Sequence, residues 1–381
     1  MKKAIVLGCG LIGSAMVQDL AADEGFQVAV ADVDQRSLSA VSNLQRVNRI
    51  ERDLENADLV QDLVSDFDIV LGALPSRLGL ATLRAVIECG KPYADISFMS
   101  EDFLQLDGHA REKGVTAVVD CGVAPGLANM IIGYCATVMD ELEKVEYYVG
   151  GLPKSRRWPY QYKAPFAPYD VIEEYTRPAR LVENGQVVVK PALSEPELMD
   201  FPRVGTLEAF NTDGLRSLIK TIKAKNMKEK TLRYPGHRDL MCALRETGFF
   251  GKEEIEVRGR RVAPVDVTAK LLFPLWARDP GEEEFTIMRV IVEGWANGKC
   301  RRHTYDLYDE YDPNTDTTSM ARTTGYPCVI IARMLADGSL RMPGVQPPEA
   351  LGMQPGMLSA VSAALADRGV ILHQKLEDLP E

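Results

Sequence analysis

Gly8-Cys9-Gly10-Leu11-Ile12-Gly13 stands between an apolar run, Ala4–Leu7, and a stretch with helical spacing, Ile12–Ala22. A Gly-x-Gly-x-x-Gly that closes a strand and opens a helix permits a tight turn. It also brings backbone N–H groups up to a phosphate and lets helix and strand lie close together. The backbone of Gly8, Gly10, Leu11, Ile12 and Gly13 is therefore the expected cradle of a pyrophosphate. Nineteen residues past Gly13, Asp32 follows the second apolar run, Gln27–Ala31. A carboxylate at that position accepts hydrogen bonds from adenosine ribose hydroxyls and repels a 2′-phosphate, so the expected cofactor is NAD rather than NADP. Arg36 is the nearby cation that argues the other way, and it reads more simply as a solvated helix residue.

The alternation continues. Apolar runs at Val47–Glu51, Ile69–Ala73, Tyr93–Ile96 and Thr116–Asp120 are separated by helical stretches such as Gln35–Asn43 and Gly79–Cys89, the last followed by Gly90. Six such units predict a parallel sheet covered by helices, a complete α/β Rossmann dinucleotide-binding domain over residues 1–124. Ala73-Leu74-Pro75-Ser76 ends the fourth strand at the edge where cofactors lie. Asp53 follows the weaker third strand. Cofactor contact and ordinary capping or surface roles stay open for these five residues.

After Gly126 the texture changes to alternation with one wet face. Glu143–Gly151, Phe285–Val292 and Lys299–Tyr308 read as strands, and Ala179–Val189 as a hairpin turning at Asn184-Gly185. Residues 125–317 are expected to form an antiparallel α+β domain for substrate binding and dimerisation, with Leu215–Lys225 helical. Helical patterns at Thr318–Leu335 and Gln354–Arg368 predict that the tail, from about 318 to 381, returns to the first domain.

A net charge of −11, from 44 basic and 55 acidic residues, argues against general binding to nucleic acid or an anionic membrane. The seven cysteines form no Cys-x-x-Cys pair and the four histidines are far apart, so neither a disulfide framework nor a metal site is expected. No apolar run approaches the roughly 20 residues that span a bilayer. The expectation is a cytoplasmic protein.

Two groups of residues carry chemistry. Asp95 lies within the apolar fifth strand, where an unpaired carboxylate is costly, so it either caps backbone or moves protons. Cys121 ends the sixth unit and reads as a small buried residue or an active thiol. Thr231-Leu232-Arg233-Tyr234-Pro235-Gly236-His237 gathers a guanidinium suited to a carboxylate and an imidazole suited to a proton. A surface arginine and a histidine at a helix start are the plainer alternatives.

These segments also carry a likeness. The chain resembles the saccharopine dehydrogenase-like family over essentially its whole length, its lysine 6-dehydrogenase branch most of all. The matching stretches are GCGLIGSA, YADIS, DCGVAPG with Asn129, EEYTRPARLVENG, GTLEAFNTDGLRS, TLRYPGH and TSMARTTGY. The resemblance implies that Asp95 and Cys121 lie beside nicotinamide and substrate, and that Arg233 binds a substrate carboxylate. It places His237, Asn211 and Asp213 on the substrate-side wall and implies a homodimer or larger assembly. The implied reaction is NAD-dependent oxidative deamination of the ε-amine of L-lysine, with Asp95 or His237 as base. A saccharopine-type reductase and a non-catalytic NAD-binding regulator are the competing readings. The stretch Tyr162–Pro168 departs from the family's Trp-Ser pattern, which bears on the substrate more than on the reaction type.

Overall fold

A computed structural model describes residues 1–164, 168–279 and 281–380. Pro165, Phe166 and Ala167, the centre of the departing stretch, lie outside the described residues. The chain divides into two compact units, Met1–Thr137 with Met320–Ile371 and Val138–Ser319 with Leu372–Glu381.

The first unit is built on a parallel sheet. Its strands are β1 (Lys2–Leu7), β2 (Phe26–Asp32), β3 (Val47–Glu51), β4 (Ile69–Gly72), β5 (Tyr93–Asp95), β6 (Thr116–Val118) and β17 (Gly344–Gln346). They lie in the order β17-β6-β5-β4-β1-β2-β3. Ala4–Leu7 and Ile69–Leu71 are fully buried, as strands covered on both faces must be. Helices α1 (Leu11–Ala21), α2 (Gln35–Ser39), α3 (Ala57–Val64), α4 (Ser76–Glu88), α5 (Asp107–Glu112) and α6 (Leu127–Val138) follow the strands. The strand order reverses between β1 and β4. Dinucleotide-binding sheets hold their ligand at that switch point.

Helix α2 stops at Ser39, four residues short of the expected end. Asp34 caps its start by accepting from the Arg36 N–H, while the Ser39 hydroxyl bonds back to the Arg36 carbonyl. Serines in short helices compete for backbone groups in this way.

The tail does return to the first unit through α11 (Ser319–Asp337), α12 (Pro348–Gly352), α13 (Met357–Ala366) and strand β17. Two boundaries need correction. Residues 125–137 belong to the first unit, because α6 packs on α12 through glycines. A Cβ on Gly133 would strike the Glu349 backbone, and one on Gly352 the Met130 backbone. Asn129 adds a side-chain bond to Glu349, 3.3 Å. At the other end β18 (Leu372–Asp378) belongs to the second unit, where Leu372–Asp378 pairs antiparallel with Arg301–Leu307.

The second unit contains β7 (Glu141–Pro153), α7 (Pro168–Thr176), β8 (Ala179–Glu183), β9 (Gln186–Lys190), β10 (Glu197–Phe201) and β11 (Gly205–Asn211). It continues with α8 (Leu218–Thr221), β12 (Asn226–Arg233), α9 (His237–Glu246), β13 (Ile255–Val257) and β14 (Arg260–Val262). Then come α10 (Pro264–Trp276), β15 (Glu284–Ala296) and β16 (Lys299–Glu310). Its sheet runs β10-β11-β12-β7-β15-β16-β18, with β8 and β9 attached at β12.

The hairpin turns at Asn184 and Gly185, both at positive φ (50° and 76°), as its two-residue turn demands. The sheet is not wholly antiparallel. β12 runs antiparallel to β11 but parallel to β7. The expected helix Leu215–Lys225 shrinks to Leu218–Thr221, since Arg216 sits at φ 54° and Ile222 is extended. Among the described residues no helix is long and apolar enough to cross a membrane.

Candidate active site

Three glycines of the first loop do different work. A Cβ on Gly8 would run into the Ala73 carbonyl, and one on Gly13 into the Gly8 carbonyl. Both glycines are needed for β1, α1 and the end of β4 to meet. Gly10 is different, because a Cβ there would meet no protein atom within 4 Å. The protein's own packing does not call for a glycine at that point, whereas a ligand pressed against the backbone would. Gly10 is also the cap of α1, with no capping side chain and no acidic residue in the first turn. The helix's unsatisfied N–H groups thus remain for an anion.

Leu11 is 48 % exposed at the mouth of this turn, and Ile12 follows it in α1. Asp32 is fixed at the end of β2, where its two oxygens accept from the N–H groups of Cys9 (2.7 Å) and Asp34 (2.8 Å). Ala73 bonds back to Leu7, which seats Ala73 and Leu74 beside the glycine turn. α4 begins at Ser76 with Pro75 in the cap position, so Ser76 is not the cap. Asp53 accepts from the Glu55 N–H in its own turn. The residues present fit a dinucleotide: an open N-terminus for phosphate, a bare backbone, and a carboxylate at the ribose end.

At the carboxyl end of β5, Asp95 is wholly buried. One oxygen accepts from the Ser97 hydroxyl (2.8 Å) and the Tyr93 hydroxyl (3.1 Å). The other has no hydrogen-bond partner among the described residues. The carboxyl and the Tyr93 hydroxyl fill the space a side chain on Gly72 would need. Burial pushes Asp95 up from 3.8 to about 7, against the pull of its hydrogen bonds and with some help from Asp120. The Cys121 N–H donates to the Asp95 carbonyl, so the structure brings these two candidates together. The Cys121 thiol is buried and hydrogen-bonds with that of Cys328 in α11.

This carboxyl has a measurable signature. The unfolded chain ionises Asp95 near its ordinary value, whereas the folded protein keeps it protonated to about 7. The fold is therefore favoured below pH 4, and this contribution is lost as pH rises through 7, on the order of 4 kcal/mol in all. Asp95→Asn removes the titration. The melting temperature of the variant should gain on that of the wild type between pH 4 and 7 and hold the gain above it. A difference independent of pH would place Asp95 outside this account.

In the second unit Arg233 ends β12 in a cage of aromatic rings. Its Nε donates to the Tyr175 hydroxyl (3.2 Å), Nη1 to the Leu232 carbonyl (2.9 Å), and Nη2 to Glu174 (3.1 Å) and the Tyr162 hydroxyl (3.5 Å). The guanidinium also lies 4.6 Å from the centre of the Tyr162 ring, a cation–π contact. Glu174 is raised to about 7 by burial, with Arg233 opposing. It was missed at the sequence level. It sits in the EEYTRPAR stretch, but nothing in one chain's spacing shows that α7 points it at Arg233.

His237 begins α9 after the Pro235-Gly236 turn, with Gly236 at φ 93°. Its Nδ1 is 2.8 Å from the Tyr160 carbonyl, which can only accept, so that nitrogen carries the proton. Nε2 then accepts from the Tyr175 hydroxyl, 3.0 Å away. Burial and the neighbouring Arg233 lower the imidazole to about 3. In this arrangement His237 aims the Tyr175 hydroxyl, and with it Arg233.

Asn211 and Asp213 serve the wall itself. Asn211 donates to Ser194 and Glu195, and Asp213 takes both arms of Arg180 at 2.8 Å. Neither presents an uncommitted charge to a substrate.

Residues 4–118 match the family model "Saccharopine dehydrogenase NADP binding domain", and residues 122–370 match "Saccharopine dehydrogenase C-terminal domain". The mitochondrial alpha-aminoadipic semialdehyde synthase of Bos taurus is 22% identical over 422 residues. That alignment covers 91% of this chain and 45% of the relative, so the chain spans less than half of that protein's length. The saccharopine dehydrogenase [NADP(+), L-glutamate-forming] of Saccharomyces cerevisiae is 20% identical over 452 residues, covering 98% of this chain and 99% of its own. The solved apo structure of saccharopine dehydrogenase (L-Glu forming) from that yeast superposes with a TM-score of 0.80 at 18% identity. It covers 99% of this chain and 100% of its own, and shows the same fold. With nearly the whole chain matched by the two domain models, the protein belongs to the saccharopine dehydrogenase family.

Proposed function

We propose that the protein is an NAD-dependent dehydrogenase acting on the ε-amine of L-lysine. Lysine, NAD and water would give ammonia, NADH and a semialdehyde that cyclises to a piperideine carboxylate. The observation that carries this reading over a saccharopine reaction is the charge around Arg233.

Saccharopine joins two amino acids and would need a second cation for its further carboxylates. Arg180 is consumed by Asp213, Arg177 stands beside Glu173, and Arg216 is engaged within the protein. The charges around Arg233 are instead predominantly acidic. Glu174 contacts it, and Glu174 in turn interacts with Asp170 and the buried Glu229. Arg177 also acts on Glu174, so three carboxyl groups stand against two guanidiniums, a balance that suits a substrate with one carboxylate and a surplus of amines.

A bound nicotinamide dinucleotide would supply the hydride acceptor, held by the Gly8–Gly13 turn, the start of α1 and Asp32. Hydride leaves carbon only once the adjacent amine is neutral, so a base must first take a proton. Asp95, poised near 7, fills that role, with Ser97 as the hydroxyl that passes the proton to it. In the second unit Arg233 would hold the α-carboxylate of the substrate. The relatives' names specify NADP(+). Asp32 supports NAD here, because its fixed carboxylate would face a 2′-phosphate with like charge.

The test is initial rates of reduced-cofactor formation at alkaline pH, with L-lysine and with saccharopine, each with NAD and with NADP. Turnover of lysine with ammonia release is expected, with NAD preferred over NADP by roughly a hundredfold in kcat/KM. Asp32→Ala should narrow that preference to within about tenfold. Turnover of saccharopine alone would overturn the substrate, and equal rates with the two cofactors would overturn the role of Asp32.

A further inference from the structure

Arg233 explains how a carboxylate could be held, but an amino-acid head group carries an ammonium on the same carbon. Glu174 is placed to meet it. Its Oε2 accepts from Arg233 Nη2 at 3.1 Å, while Oε1 has no hydrogen-bond partner among the described residues. Its side chain keeps 20% of its exposure, against 4% for Arg233. The carboxyl is therefore anchored at one oxygen, on a side chain that is partly exposed. The helix that carries it is held from the next residue, since Tyr175 bonds both His237 and Arg233. The backbone from which Glu174 projects is thereby fixed beside Arg233.

We propose that Glu174 and Arg233 together form the receptor for an α-amino-acid head group, with Glu174 binding the α-ammonium and so selecting α-amino acids over simple ω-amino acids. The proposal deepens the lysine reading and rests on Arg233 as the carboxylate site. The carboxylate of the ligand takes the remaining Nη1 N–H of Arg233, and the ammonium beside it takes the second oxygen of Glu174. Charge then alternates across four groups, and each charged donor has an acceptor. A purely internal counter-ion for Arg233 would serve equally well whether or not the ligand had an α-amine. That difference separates the two roles.

The test compares equilibrium binding of three ligands by calorimetry: L-lysine, L-norleucine, which keeps the head group and lacks the ε-amine, and 6-aminohexanoate, which keeps the ε-amine and carboxylate and lacks the α-amine. Wild-type protein should bind the first two more tightly than the third. Glu174→Gln, which keeps the shape and the acceptor for Arg233, should weaken lysine and norleucine on the order of tenfold to a hundredfold. It should leave 6-aminohexanoate within about twofold.

Equal weakening of all three ligands, or no discrimination by the wild type, would overturn the proposal. Should Glu174→Gln fail to fold, Glu174→Asp keeps the charge and withdraws it by one methylene. The same unequal loss is expected there, and an equal loss counts against the proposal. Head-group discrimination in a protein that does not oxidise lysine would support this receptor and overturn the lysine reaction alone.

Discussion

Replacing Arg233 with alanine is expected to cost about 3–5 kcal/mol of stability, the usual consequence of breaking a buried ion pair from one side. The loss has identifiable sources. Glu174 is left without its counter-charge, the Tyr175 and Tyr162 hydroxyls lose a donor, and the Tyr162 ring loses its stacked cation. Urea unfolding at pH 7 measures it. If enough protein folds to assay, KM for lysine should rise at least about a hundredfold while KM for NAD changes little. Arg233→Lys restores the charge but not the planar fork, and should recover stability better than affinity. A comparable rise in KM for both ligands would remove Arg233 from substrate recognition.

The second large effect separates two glycines three residues apart. Gly13→Ala places a methyl group against the Gly8 carbonyl, a backbone atom that cannot step aside. A cost of about 1–3 kcal/mol or more is expected. Gly10→Ala adds the same methyl where no protein atom lies within 4 Å and where φ is −72°. Stability should therefore stay within about 0.5 kcal/mol of the wild type. Cofactor affinity should nevertheless fall at least about tenfold, since the methyl occupies the path of a pyrophosphate. Thermal melting with and without NAD reads both effects. A Gly10→Ala protein that still gains the full NAD-induced shift in melting temperature would show that the ligand lies elsewhere.

The first unit was largely legible because its determinants are local. Strands buried on both faces write themselves as short apolar runs, and Gly8, Gly13 and Asp32 stand at fixed offsets from them. β18 was not legible. Leu372–Asp378 is an edge strand with mostly polar, charged residues, held by Arg301 and Lys299 to Asp378, and such a strand shows no apolar run. The Asn226–Arg233 strand hid behind its lysines, which pair with Glu146 and Glu197 and donate to the Glu195 carbonyl.

At the site, the family likeness led to Arg233, Asp95 and Cys121, but only geometry decides what each does. His237 illustrates the limit. Its neighbours in sequence suggest a titrating group, while Tyr160 and Tyr175, distant in sequence, lock it neutral. Glu174 was invisible for the same reason, since its partner lies 59 residues away.

The order in which the strands are joined bears on how the chain is made. Strand β6 gains its outer neighbour, Gly344–Gln346, only when Thr116–Val118 pairs with it across more than two hundred residues of intervening sequence. During synthesis the edge of β6 therefore stands open while the whole of residues 138–319 emerges and folds. An unpaired strand edge is a template for pairing with another chain, and delayed long-range closure lengthens that exposure. The second sheet waits longer still, since Arg301–Leu307 is covered only by the last strand. A ribosome that stalls anywhere before residue 344 leaves both sheets unfinished at an edge, so protein released early should be prone to aggregate rather than survive as a folded nucleotide-binding fragment.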